Sequence, residues 1–165
     1  MALLAGGADV NEQTTDDGAT ALAGWMPSPD GSKLLYSVQD GGTDWRILHV
    51  LDVETGEQLS EDIRWAKFTS LAWVGNEGFL YSRFPEPEEG EDFQALNMDQ
   101  AVYYHALGTA QAEDRLVFAT PDAPERNHTA QTTTDGRWAI VTSSTGTDAR
   151  YEVNLIDLSA GWDAR

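Results

Sequence analysis

Cysteine is absent from the 165 residues, which excludes disulfides and thiol chemistry. Lysine is almost absent: Lys33 and Lys67 stand alone, and every other basic residue is arginine. Ten basic residues face 28 acidic ones, for a formal net charge of −18. Such a surface repels phosphate, which argues against nucleic acid and anionic membranes as partners. The acidity reads first as a solubility adaptation, and second as attraction for a cationic partner. No apolar run reaches the length of a membrane span. The apolar start at 1–7 is too short for a signal peptide and has no basic flank. These absences lead us to expect a cytoplasmic protein, or a periplasmic one if a signal peptide has been removed. Without a secretion signal, Asn127-His128-Thr129 reads as a chance glycosylation sequon.

What is present suits a packed domain. Hydrophobic residues make up 41% of the chain, enough to bury a core without a metal or crosslink. Helical periodicity is nearly missing. Short apolar or alternating runs recur instead, punctuated by glycine, aspartate, asparagine and proline. The runs at 20–25, 33–38, 45–53 and 58–61 predict four strands, and those at 67–74, 79–84, 101–107 and 115–119 predict four more. A third set follows at 128–133, 138–143 and 151–158, without a fourth member. Segment 85–98 interrupts the second set with Pro85, Pro87 and the acidic run Glu86, Glu88, Glu89, Glu91 and Asp92. It reads as a solvated surface insertion, or as a rim loop that meets another domain or gates a cavity.

The sets repeat one another. Gly31, Gly78 and Gly136 each open a second strand, and Asp52 and Asp157 close the third strand of the first and last sets. Gly42-Thr43-Asp44 matches Gly146-Thr147-Asp148, and Val50-Leu51-Asp52-Val53 matches Leu155-Ile156-Asp157-Leu158. A repeat of roughly 50 residues built from four antiparallel strands marks propeller blades. The expected fold is all-β: a partial β-propeller over 1–165 with blade-like units about 18–62, 63–120 and 127–160, the last incomplete. Of the tryptophans, Trp25, Trp45, Trp65, Trp73, Trp138 and Trp162, most are expected to pack between blades.

Catalytic chemistry finds no support in the residues. No Gly-x-Ser-x-Gly elbow occurs, and Ser143-Ser144-Thr145-Gly146 reads as a turn within a repeat. His49, His105 and His128 are scattered without metal-ligand spacing, and His105 is expected to be a structural hydrogen-bonding residue. Asp9, Asp16 and Asp17 do not complete a calcium loop. Gly6-Gly7 lacks the strand and helix of a phosphate loop. No catalytic residue, metal or cofactor is expected.

The run Tyr103-Tyr104-His105-Ala106-Leu107-Gly108-Thr109, followed by Gln111, Glu113, Asp114 and Leu116, is distinctive, as is Gly78-Phe79-Leu80-Tyr81-Ser82-Arg83-Phe84-Pro85. In order with these stand Asp17-Gly18-Ala19-Thr20, Ser28-Pro29-Asp30-Gly31, Gly42-Thr43-Asp44-Trp45, Pro121-Asp122-Ala123-Pro124 and Asp135-Gly136-Arg137-Trp138. Together they resemble the first part of the β-propeller of the prolyl oligopeptidase family of serine peptidases. That resemblance implies about three of seven blades, and a non-catalytic role in gating the access of short proline-containing peptides to a hydrolase domain. It places Thr120 at a substrate-facing position, where several members carry an aromatic residue. The partners it implies are a hydrolase domain and further blades. A stand-alone binding module, or a homo-oligomer joined through open blade faces, is the alternative. Open faces follow from the geometry, because a three-blade arc leaves a flank bare at each end.

Overall fold

A computed structural model of the chain describes residues 20–40, 43–87 and 97–161. Several expectations lie outside these residues: the motifs before Thr20, the Gly41-Gly42 turn, most of the acidic insertion and Trp162. The strands are β1 (Thr20–Pro27), β2 (Lys33–Asp40), β3 (Arg46–Asp52), β4 (Ile63–Ala66), β5 (Ala72–Val74), β6 (Gly78–Arg83), β7 (Ala101–Ala106), β8 (Arg115–Phe118), β9 (Arg126–Thr132), β10 (Trp138–Thr145) and β11 (Glu152–Asp157). All pairings are antiparallel and the sheets do not close. Two short 3-10 turns, Gln111–Glu113 and Leu158–Ala160, are the only helical elements among the described residues. The fold is the expected all-β arc.

Strand alternation builds the layers. In β10 buried Ala139, Val141 and Ser143 alternate with half-exposed neighbours, so one face points inward. β6 differs: its first five residues are all buried. Phe79 and Tyr81 enter a cluster with Leu35, Leu48, Val50, Ile63 and Trp73. Leu80, on the opposite face, enters a second cluster with Val102, Ala130, Ala139, Val141 and Ile156. The β5–β8 sheet is therefore sandwiched between the β1–β3 sheet and the β9–β11 sheet, as a middle blade must be. Gly78 starts β6 because a Cβ there would collide with the carbonyl of His105 and the ring of Tyr104.

Three details differ from the sequence expectation. The strand expected at 58–61 is a single bridge, Leu51 to Gln58, and the strand that follows β3 is β4. Only Ala72–Val74 of the expected 67–74 strand is regular. Phe68 takes a left-handed backbone angle, φ 53°, and so does Trp65 inside β4, φ 62°, where the β3–β4 register shifts. Finally, β4 pairs with β3 and also bridges β6 through Ala66 and Arg83. The first two units thus share one eight-stranded sheet, while β9, β10 and β11 form a separate three-stranded one.

The separate sheet is clasped by side chains. The inner edge of β9 has no strand neighbour. The Ser70 hydroxyl donates to the Ala130 carbonyl (2.6 Å) and accepts from its N–H (2.8 Å). The Ser82 hydroxyl donates to the His128 carbonyl (2.6 Å), and the His128 N–H donates to Gln100 Oε1 (2.5 Å). Gln100 Nε2 in turn donates to the Lys67 carbonyl (2.7 Å). Polar side chains of the middle sheet thereby satisfy backbone groups that a ladder would otherwise have taken.

Candidate functional site

The three inner strands wall a groove of about 760 Å³. β1 contributes Trp25 and Met26, the middle unit contributes Ser70, Leu71 and Trp73, β9 contributes Gln131 and the β9–β10 connection contributes Asp135. Trp25 is 61% exposed, so it lines this open space instead of packing between sheets as expected. Trp73 is buried and donates its indole N–H to the Met26 carbonyl (2.9 Å), tying β1 to the middle sheet.

One rim of the arc gathers the ends of β6 and β8 and the starts of β3, β7 and β9, as the antiparallel register requires. Thr120 sits here, half-buried, just after β8. Its hydroxyl donates to the Ala123 carbonyl (3.1 Å) and lies 3.2 Å from His128 Nε2. A hydroxyl has one proton. His128 therefore carries its proton on Nε2 and donates to Thr120, and Nδ1 accepts from the Ser143 hydroxyl (2.8 Å). Burial, aided by the nearby Arg126 charge, holds the His128 pKa below its ordinary value. Ser143 is 2% exposed, so this serine–histidine pair is shut away from solvent.

On the same rim, Trp45, Trp65, Phe68 and Phe84 meet edge to face, with centroids 5.8–6.5 Å apart. The Lys67 ammonium lies over Trp45 and Phe68 and 3.7 Å from Asp44. The positive φ values at Trp65 and Phe68 belong to this display. A Phe84 N–H to Trp65 carbonyl bond (3.0 Å) helps hold the segment there.

The distinctive Tyr103–Asp114 run closes a buried network at the other rim. Asp114 accepts from His105 Nδ1 (2.6 Å) and from the Tyr81 hydroxyl (2.5 Å). Gln111 Nε2 donates to the same hydroxyl (3.1 Å). The His105 and Asp114 side chains are fully buried. Burial and the adjacent carboxylate push the Tyr81 pKa up. His105 is thus a structural hydrogen-bonding residue, as expected. His49 is separate, its Nδ1 3.0 Å from the Glu61 carbonyl. Among the described residues no group of three or more metal-ligating side chains converges, and no helix is long and apolar enough to cross a membrane.

Comparison with known proteins agrees with this geometry. A family model described as prolyl oligopeptidase, N-terminal beta-propeller domain, matches residues 8–163. The prolyl endopeptidase of Elizabethkingia meningoseptica is 32% identical over 158 residues, covering 91% of this chain and 22% of that protein. That of Elizabethkingia miricola is 33% identical over 144 residues, covering 87% and 20%. Among solved structures, one from a study of two prolyl endopeptidases superposes with a TM-score of 0.79 at 48% identity, over 85% of this chain and 19% of that one. Apo prolyl oligopeptidase B from Galerina marginata gives 0.78 at 26% identity, over 91% and 22%. The fold defines an open arc of a β-propeller. The chain belongs to the prolyl oligopeptidase family, to its N-terminal β-propeller domain. It spans about a fifth of the length of the curated relatives it matches.

Proposed function

We propose that this arc is the non-catalytic propeller part of a prolyl oligopeptidase-type serine peptidase, gating the approach of short proline-containing peptides to a hydrolase domain. The observation that carries it is the family match over 8–163. The rim around Thr120 is the substrate side in this reading. The Thr120 hydroxyl is engaged by Ala123 and His128, so its contribution there is shape, not a free hydrogen bond. The buried Ser143–His128 pair supports a non-catalytic role, because a substrate carbonyl cannot reach it.

The partner in this reading covers the outer face of β11. Val153 and Leu155 alternate along that strand and Tyr151 stands just before it; they are 61%, 59% and 64% exposed. Apolar rows of this kind mark interaction surfaces. Further blades, or a second copy of the chain, would bury them.

One preparation of the 165-residue chain tests both points. With a Gly-Pro fluorogenic peptide it should show no turnover; cleavage that survives trace-protease controls overturns the non-catalytic reading. In sedimentation it should associate, and a compact, cooperatively melting monomer sinks the open-face reading.

A further inference from the structure

The second strands of the units repeat a tetrad. Leu34-Leu35-Tyr36-Ser37 in β2 corresponds to Phe79-Leu80-Tyr81-Ser82 in β6 and to Ala139-Ile140-Val141-Thr142 in β10. Burial assigns the faces. Leu35 and Leu80 point forward, each into the core shared with the next unit. Ala139 and Val141 point back into the core shared with the middle unit. Ile140 and Thr142 therefore point forward, onto a flank that no described sheet covers. The register extends this face across the third sheet. Thr142 pairs with Thr129 and Val153, and Ile140 pairs with Gln131 and Leu155. Thr129, Gln131, Val153 and Leu155 are all exposed.

Forward hydroxyls already have a use at the second seam. Ser70 and Ser82 bond the inner edge of β9 at Ala130 and His128. Continuing the β5–β6 register sets Ser70 opposite Ser82, as Thr129 stands opposite Thr142. The third unit thus repeats the clasp with two threonines, and this clasp has no strand to hold among the described residues. The matching edge is that of β1. The Ser28 N–H donates to the Lys33 carbonyl (2.8 Å), and Ser28 Oγ accepts from the Lys33 N–H (2.9 Å). Thr133 makes the same two bonds with Trp138 (2.9 and 3.0 Å). Ser28 and Thr133 are therefore equivalent, and counting back equally from each puts Trp25 at the place of Ala130. Ladder alternation from the Ser28–Lys33 pair turns the Trp25 N–H and carbonyl away from β2. No strand lies on that side of β1.

We propose that the third unit of one copy takes β1 of a second copy, so that two arcs join head to tail. The inference rests on the open-face reading of β11 given above and commits it to one occupant. Thr129 and Thr142 hold the Trp25 backbone of the second copy as Ser70 and Ser82 hold β9. Apolar surface meets apolar surface in the same joint. Trp25 shares the rear face of the first unit with its ladder partner Tyr36 and is 61% exposed, and Val153 and Leu155 are the exposed forward residues that cover its ring. A contact between unlike faces is heterologous and stays finite when its rotation closes. Two arcs of three units fall inside the range of about four to eight blades at which propellers close, so assembly stops at a dimer.

Sedimentation of the 165-residue chain should show a dimer. Leu155→Glu, which charges the forward face, and Trp25→Pro, which removes the edge N–H and the ring, should each weaken it at least about tenfold. Mixing the two variants should restore a dimer, because one unaltered joint remains between them. Thr142→Val, which keeps the volume, should weaken association roughly threefold to tenfold. A dimer that Leu155→Glu breaks and Trp25→Pro leaves intact joins like faces; it overturns the head-to-tail joint and leaves the open-face reading standing. A monomer at every concentration overturns both. In the wild type, hydrogen exchange at the Trp25 amide should slow at least about tenfold from monomer to dimer. Unchanged exchange there overturns the joint even if a variant fails to fold.

Discussion

The two seams of the arc are built from different materials. Between the first and second units, large side chains dominate: Trp73, Phe79, Tyr81, Ile63 and leucines, together with the continuous ladder through β4. Between the second and third, alanines and valines dominate, no strand crosses, and backbone groups of β9 are bonded by Ser70, Ser82 and Gln100. The first seam rests on apolar area, which is tolerant of direction. The second brings backbones close enough for short side chains to bond them, which demands small residues and registers the sheet exactly where those hydroxyls lie.

That contrast can be broken in three ways. The largest effect should come from Phe79→Ala, which empties the centre of the first seam. It should cost about 3–5 kcal/mol, read by chemical denaturation, and a loss below about 1 kcal/mol would mean that the seam is not a packed core. Next comes Gln100→Leu. It keeps the volume but orphans the His128 N–H and the Lys67 carbonyl, for about 1–3 kcal/mol. Hydrogen exchange should rise at His128 and along β9 while the first seam stays protected. Uniform loosening of both would show that the clasp is not local.

The smallest effect is that of acid. The folded His128 pKa is depressed, so the unfolded chain takes up the proton more readily. Its contribution is present above the ordinary histidine value near 6.5 and is lost as pH falls through the depressed value. The second seam should therefore weaken before the first. At lower pH the turn carboxylates follow. Asp30 is brought down to about 2 by bonds from Ser32 and Ser28, and Asp52, Asp135 and Asp157 are lowered by similar hydroxyl and N–H donors. Their support is present above the ordinary carboxylate range and fades as pH drops toward about 2. Thermal melts of wild type and His128→Asn from pH 7 downward should differ in slope between pH 6.5 and 5, and parallel curves would remove His128 from the account.

Much of the arc was legible in local chemistry. Asp30 in Ser28-Pro29-Asp30-Gly31 and Asp135 in Thr133-Thr134-Asp135-Gly136 accept the same kinds of hydroxyl and N–H bonds. The following glycines take φ of 75° and 69°, where a side chain is disfavoured. Asp52 and Asp157 likewise each bond a serine or threonine further on. Because these motifs close within a few residues, sequence shows them. The middle unit escaped that logic. Its Val74–Gly78 turn has no such aspartate, and Asn76 instead reaches across to accept from the Asp30 N–H (3.1 Å). The irregular 67–71 segment was equally hidden, because Phe68 there serves a rim cluster and not a strand. For the candidate site, the motif run pointed to Thr120, but nothing in local pattern marked the aromatic cluster of Trp45, Trp65, Phe68 and Phe84 on the same rim.

By itself, then, the order of residues determined the β-period, the turns, the repeat and the family, because each depends on neighbours a few positions apart or on motifs recurring along the chain. Only the folded arrangement decided which sheets fuse through β4 and which side chains clasp β9. Those outcomes depend on contacts between distant segments, where burial and unmet hydrogen bonds act with no trace in local spacing.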